Sequence, residues 1–202
     1  PGIASHLKII SGASSHMTQM IDTLMELSKL GRADLKPVRI ELRPLIDETC
    51  AKVEREYAGP AARPVHWEVA KDFPAVVGDL LLIRQVLHHL LSNAIKFTRP
   101  AVPVTAVYDT RIAVGWQFGD DGRCEITIRD NGVGFDPRYQ GKLFQVFSRL
   151  HSAEEFPGIG MGLALARRIV ERHGGAISAT TGEGGGCEVR FTLAPDRQVS
   201  QT

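Results

Sequence analysis

Three glycine clusters between residues 129 and 187 restrict this chain more than any other feature. Arg129-Asp130-Asn131-Gly132-Val133-Gly134-Phe135 follows a run that alternates like a strand. Pro157-Gly158-Ile159-Gly160-Met161-Gly162-Leu163 leads into a helical pattern. Gly182-Glu183-Gly184-Gly185-Gly186-Cys187 enters the last alternating run. Glycine lets a backbone approach a ligand closely, and amides at a helix start attract phosphate. The second cluster therefore reads as a phosphate cradle. No Gly-Lys-Ser/Thr follows it, so it is not a P-loop, and no dinucleotide fingerprint stands in the right place. A turn explains any one cluster alone. Three in one segment, with an acid in the first, are much harder to dismiss as turns.

The remaining pattern divides the chain. Residues 3, 10, 17 and 24 (Ile3, Ile10, Met17, Leu24) fall seven apart, beside a second line of His6, Ala13, Met20 and Leu27. This is the seam of a coiled coil or helix bundle. One helix cannot bury such a stripe, so a partner helix is implied. Gly31 and Pro37 end it. From residue 38 the grammar is mixed. Strands are expected at 38–42, 65–69, 111–118, 124–129, 176–180 and 188–193, and helices from Pro44 to about Tyr57, at 80–97, 140–149 and 162–172. Gly78-Asp79 reads as a loop and helix N-cap. Residues 99–110 fit no pattern.

Composition narrows the function classes. The formal charge of +1 gives no global field for nucleic acid or anionic lipid. No apolar stretch is long enough to cross a bilayer, and no signal-peptide pattern opens the chain. Cys50, Cys124 and Cys187 have neither zinc spacing nor a disulfide pattern, and read as reduced thiols. Helix 80–97 carries Gln85, His89, Asn93 and Lys96 at steps of four, four and three, one polar face opposite Ile83, Leu87, Leu90 and Ala94. His88 and His89 are adjacent and point about 100° apart, so they do not chelate one ion as a pair four apart does.

Taken together, these residues resemble the ATP-binding domain of a bacterial sensor histidine kinase, of the ATPase superfamily shared with gyrase, Hsp90 and MutL. The family's asparagine box resembles residues 90–97, its first glycine box 130–135, its Phe box 143–149, its second glycine box 158–165, and its third the looser Gly184-Gly185-Gly186. Residues 147–152, with Glu155-Phe156 following, look most like the kinase modules of phytochrome-type sensors. The resemblance implies an α+β fold, a two-layer α/β sandwich of the Bergerat type. A mixed sheet is covered by helices on one face and preceded by a long N-terminal helix. It divides the chain into a partial dimerisation and phosphotransfer helix at 1–35, an ATP-binding catalytic domain at 38–195 and a polar tail at 196–202.

The resemblance also implies roles. Asp130 accepts a hydrogen bond from the adenine amino group, a task suited to an acceptor-only carboxylate. Gly132 and Gly134 leave room for the nucleotide. Asn93 holds Mg²⁺, with His89 as a residue that touches the metal's waters or merely fills space. Lys96 and Arg149 meet phosphate charge. Phe97 packs beside the nucleotide or in the core. Gly158, Gly160 and Gly162 hinge a lid at about 136–158 and present amides to phosphate, and Leu163 follows them. Phe144 and Phe147, three apart, anchor that lid. His151 is read as an exposed spectator.

The expected activity is transfer of the ATP γ-phosphate to a histidine for relay to a response-regulator aspartate. The expected cofactors are ATP and Mg²⁺. The expected partners are a second copy through the N-terminal helix and a response-regulator receiver domain. Neither nucleic acid nor membrane contact is expected, and the location is cytoplasmic. No catalytic histidine is identified. His6 and His16 lack the acid that follows the family's acceptor, so the chain reads as a fragment that binds ATP without autophosphorylating. A gyrase-like clamp uses a glutamate where His89 stands. A degenerate nucleotide-binding and dimerisation module is the alternative that His89 and Ile159 keep open.

Overall fold

The computed structural model describes residues 34–58, 64–98, 109–152, 155–156, 158–182 and 185–196, and within 10–30 the residues 10, 14, 17, 18, 20–22, 24, 25, 27, 28 and 30. Those described between 10 and 30 are helical. Ile10, Met17, Ile21, Leu24 and Met25 are exposed there, while Leu30 is buried and Leu27 packs against the core. His6, His16, the residues expected to be hard to place at 99–108, and all of the tail after Asp196 lie outside the described residues.

Strand β1 (Pro37–Glu41) leads into α1 (Leu42–Glu56). Pro44 is tolerated in its first turn, where no intrahelical amide bond is lost. Leu42, Leu45, Ile46, Cys50 and Val53 recur at helical spacing and are buried. β2 (Val65–Val69) and β3 (Ala75–Asp79) follow, then α2 (Leu80–Phe97). The expected cap is present: Asp79 accepts from the amides of Leu81 and Leu82. Ile83, Val86, Leu87, Leu90, Leu91, Ala94 and Ile95 form the buried face of α2. β4 (Thr110–Phe118) and β5 (Cys124–Asp130) form a hairpin. A 3-10 helix (Pro137–Lys142), α3 (Gly162–Arg172), β6 (Ile177–Gly182) and β7 (Gly185–Leu193) complete the described chain.

The sheet is mixed, in the order β2-β4-β5-β7-β6, with β2 parallel to β4 and every other pair antiparallel. β1 and β3 form a separate antiparallel ribbon. Helices cover one face. Ile112, Ile126, Ile128, Phe191 and Leu193 from the sheet meet Ile46, Leu87, Leu91 and Ile169 from the helices, all at 2% exposure or less. Each such side chain contributes about 1.5–3 kcal/mol on burial. The other face carries Arg111, Gln117, Arg129, Arg190, Ser178 and Thr180, all exposed, as the period of two requires. The expected α+β two-layer architecture is therefore observed. Cys50 and Cys124 are buried free thiols that burial pushes up to about 12. No helix among the described residues is long and apolar enough to cross a membrane.

Two expectations are corrected. Gly78 is not in a loop but in β3, paired with Val38. A side chain there would stand 3.1 Å from His173 Cδ2 and 3.2 Å from Ile83 Cγ1, so glycine serves packing. The helix expected at 140–149 is absent. The 3-10 helix ends at Lys142, and the amides of Leu143, Gln145 and Ser148 donate three residues back, not four. The run stops at Phe147, whose φ of 61° is left-handed. Phe144 and Phe147 therefore share no helical face, and Phe147 is exposed.

Candidate functional site

The polar face of α2 opens into a cleft of about 500 Å³, a volume typical of small-molecule sites. His89, Asn93, Lys96 and Phe97 line it from α2, Asp130 from the end of β5, Gly134 from the first glycine cluster, and Arg149, Gly158, Gly160, Gly162 and Leu163 from the lid and the start of α3. Residues separated by 74 positions in sequence thus converge. Gln85, Phe144 and Phe147 do not line the cleft, nor does Gly132.

Asp130 brings a carboxylate to the cleft. Its Oδ1 accepts from the amides of Gly132 (2.8 Å) and Cys187 (3.2 Å), so Oδ2 is the oxygen it offers to the cleft. Burial pushes the carboxyl from 3.8 to about 6, against the two amide bonds that pull it down. Lys96 and Arg149 mark a cationic region. Burial, and then Arg149, hold the Lys96 ammonium below the ordinary lysine range. Lys96 Nζ lies 4.6 Å from the Phe97 ring centre, and no ion pair to Lys96 or Arg149 is seen among the described residues. Arg149 donates to the Phe156 carbonyl at 2.8 Å. Two cations beside the N-terminus of α3 favour an anion.

The glycines act first on the chain itself. A Cβ on Gly132 would fall 2.2 Å from the Phe97 carbonyl oxygen. That oxygen, at the end of α2, accepts from the Val133 amide at 3.0 Å. Gly134 is left-handed, and a Cβ there would fall 2.5 Å from Thr181 Oγ1 and 2.8 Å from the Gly186 oxygen. The room expected for nucleotide at these two positions is occupied by neighbouring backbone and Thr181. Gly158 and Gly160 have φ of 141° and 76°, which side chains rarely adopt, so the hinge expected there has the backbone for it.

The segment expected to form a lid is anchored differently from the expectation. Phe156, buried to 3% exposure, has its ring centre 4.9 Å from that of Phe97. His151 is no spectator: its ring lies 5.5 Å from Phe97 and 5.2 Å from Phe156, and its Nε2 donates to the Gly134 carbonyl at 3.0 Å. The aromatic–glycine mix of residues 151–158 carried a weak signal for this cluster; the approach of Phe97 decided it. Further back, Gln140 Nε2 donates to the Ala179 carbonyl at 2.7 Å and ties the 3-10 helix to β6. Tyr57 and Cys187 also line the cleft, and neither was expected as a site residue.

His89 lines the cleft beside Gly162, and its Nε2 is buried with no hydrogen-bond partner. Burial, with His88 adding to it, pushes the imidazole down to about 4. His88 points elsewhere, to Glu56 at 2.7 Å. Between pH 4 and 6.5 the unfolded chain binds a proton at His89 that the folded chain refuses, so this residue makes stability fall as pH drops through that window. His89→Asn is therefore expected to lose less stability than the parent between pH 7 and pH 5, by about 1–2 kcal/mol. Urea midpoints at the two pH values measure this; equal losses in the two proteins defeat it.

Among the described residues no cluster of three or more His, Cys, Asp or Glu could hold a metal ion. Magnesium does not need one. It keeps water and substrate phosphate oxygens and takes one or two protein ligands, so the amide oxygen of Asn93 in a cationic cleft is compatible with it.

Residues 78–197 match the family model described as histidine kinase-, DNA gyrase B-, and HSP90-like ATPase. Cyanobacterial phytochrome A of Nostoc sp. is 29% identical over 179 residues, 89% of this chain and 22% of that protein. The chain thus spans about a fifth of the length of such curated relatives. The mycobacterial sensor histidine kinase MprB structure superposes with a TM-score of 0.65 at 27% identity, over 80% of this chain and all of that one. Full-length ShkA in complex with AMPPNP gives a TM-score of 0.71 at 21% identity, over 96% of this chain and 39% of that one, a likeness of fold. The β5 acid, the α2 asparagine and the glycine segment before α3 lie within the matched span, and the chain belongs to the histidine kinase-, DNA gyrase B-, and HSP90-like ATPase family.

Proposed function

We propose that this chain is the ATP-binding catalytic module of a two-component sensor histidine kinase. The observation that carries the reading is the polarity of the cleft. A half-buried carboxylate with one uncommitted oxygen, the cations Lys96 and Arg149, and the start of α3 all line the one cleft. Adenine offers an amino donor and a triphosphate offers anionic oxygens, so the cleft holds a complement for each part of ATP. The AMPPNP bound to ShkA supports the same choice of ligand.

In the proposed reaction a histidine nitrogen attacks the γ-phosphorus, the bond to the β,γ-bridging oxygen breaks, and ADP leaves with the electron pair. The chain's own residues position and neutralise. Asp130 Oδ2 orients the base, Lys96 and Arg149 face the phosphates, and residues 158–162 cover them and exclude water. Mg²⁺, held through Asn93, would supply further charge neutralisation. The phosphate then passes to a response-regulator aspartate. A second copy is proposed to pair through the apolar stripe of residues 3–30, and the location is proposed to be cytoplasmic. Residues 1–35, 38–195 and 196–202 are proposed as the helix, the catalytic domain and the tail.

The 202-residue chain is expected to bind Mg-ATP by calorimetry and to form no phosphohistidine at His6 or His16 after incubation with γ-labelled ATP. Failure to bind nucleotide removes the kinase reading, and label at either histidine overturns the acceptor assignment. A degenerate module kept for dimerisation is the second reading. The unpartnered His89 Nε2 in the cleft favours it, since an unpaired buried polar atom costs about 1–3 kcal/mol. Absence of Mg-ATP binding with dimerisation retained would select it.

A further inference from the structure

A second polar node lies at the far end of the α2–α3 pair from the cleft. Asp79 closes β3 and caps α2, its Oδ1 accepting from the amides of Leu81 (3.1 Å) and Leu82 (3.3 Å). Its Oδ2 accepts from the Lys36 amide at 3.2 Å, in the segment before β1. Its own amide donates to His173 Nε2 at 3.0 Å. His173 follows the last residue of α3, and its Nδ1 lies 2.8 Å from the Ile169 carbonyl oxygen. A carbonyl only accepts, so Nδ1 carries the hydrogen; an amide only donates, so Nε2 carries the lone pair. One imidazole in one tautomer thus joins the backbone of α3 to that of the residue capping α2, 94 residues before it in sequence. Gly78 admits the ring, since a side chain there would stand 3.1 Å from His173 Cδ2.

The two helices run antiparallel. Gly162, at the start of α3, faces His89, while His173, past its end, holds Asp79 before the start of α2. Between these points the contact is apolar: Ile83, Val86 and Leu87 on α2, Ala166, Ile169 and Val170 on α3, all fully buried. Apolar packing has no preferred direction, whereas a hydrogen bond weakens steeply with misalignment. The apolar contact holds the helices together, and the imidazole bridge fixes how far one slides along the other.

We propose that His173 is a positioning residue for nucleotide binding: its bridge sets the axial register of α2 against α3, which places His89, Asn93 and Lys96 opposite the glycine segment 158–162. The proposal rests on the nucleotide reading above. A polyphosphate held from both helices is sensitive to that register, because charge-assisted hydrogen bonds weaken steeply with misalignment.

The test compares four forms of the 202-residue chain. His173→Ala removes the bridge. His173→Gln keeps one acceptor and one donor. Val53→Ala, in α1, removes a fully buried methyl pair and destabilises without touching the bridge residues' chemistry. His173→Ala is expected to weaken Mg-ATP binding about ten- to a hundredfold, the loss of about one hydrogen bond to a charged group. His173→Gln is expected to recover most of that loss, and Val53→Ala to leave affinity unchanged while lowering the melting temperature. Amide exchange in the free proteins is expected to quicken at residues 162–165 in His173→Ala and not in Val53→Ala. If His173→Ala does not fold, Gly78→Ala displaces the imidazole by another route and carries the same expectations. Affinity within twofold of the parent for His173→Ala, or an equal loss in Val53→Ala, overturns the proposal. A parent that binds no nucleotide defeats the nucleotide reading instead, and the amide exchange of residues 162–165 then decides whether the bridge sets the register.

Discussion

Asp130→Asn is expected to lose ATP binding by at least about a hundredfold while making the unliganded protein more stable at neutral pH. The two effects share one cause. Oδ1 of either side chain accepts from the amides of Gly132 and Cys187, so the loop is kept. What changes is the atom offered to the cleft, from a carboxylate oxygen to an amide NH₂. That NH₂ meets the adenine amino group donor to donor. Guanine presents a carbonyl at the same place, so ATP affinity should fall further than GTP affinity. In the free protein the carboxylate is held at about 6 by burial, against 3.8 unperturbed. The folded state therefore binds a proton more readily than the unfolded state between those values, and stability falls as pH rises through that window. Above pH 6 the full cost, about 3 kcal/mol, is present; below 3.8 it is absent. Asparagine removes it, less the cost of its own buried amide. Chemical denaturation at pH 7 and pH 4 with parallel ATP and GTP titrations tests both halves. A variant that binds ATP within threefold of the parent, or is less stable at pH 7 than at pH 4 by the parent's margin, refutes the assignment.

Gly132→Ala is the second large effect. A Cβ there would stand 2.2 Å from the Phe97 carbonyl oxygen and 2.7 Å from its carbon, contacts that backbone movement alone relieves. The displaced oxygen caps the end of α2 through the Val133 amide, and Phe97 carries the rings of Phe156 and His151. The turn, the end of α2 and the base of the lid move together. The expected loss is on the order of 3–5 kcal/mol, with ATP affinity falling in whatever fraction remains folded. Gly175→Ala is the control, because its Cβ would fall 2.0 Å from the Thr192 oxygen, away from the cleft residues. Both variants should show lowered urea midpoints, and only Gly132→Ala should bind ATP more weakly when folded. Matching affinities in the two would mean that the first glycine cluster merely turns the chain.

Much of this was written in local pattern. Asp79 before an apolar period gave α2 its start, and the alternating run at 65–69 gave β2 its bounds. The steps of four, four and three through Gln85, His89, Asn93 and Lys96 gave the polar face, three of whose members reach the cleft. The lid was illegible for a physical reason. Phe144 and Phe147 have helical spacing, but the chain there makes three-residue turns and ends on a left-handed Phe147. β3 was missed because its partner β1 lies some 38 residues earlier and its glycine answers to His173, far downstream.

The sequence alone determined the kind of chemistry: an asparagine on a helix face, an acid opening a glycine turn, and glycines leading into a second helix, in that order. Periods of two and 3.6, caps and turns are covalently local, so they survive in a linear string. Tertiary structure alone decided which atoms are spent and which remain. It commits Asp130 Oδ1 to two amides, buries His89 Nε2 without a partner, gives the space at Gly132 to Phe97, and joins His173 to Asp79. Apart from the two-residue turn from Asp130 to Gly132, those outcomes depend on distances between segments 35 to 94 residues apart, which packing sets and no local pattern records.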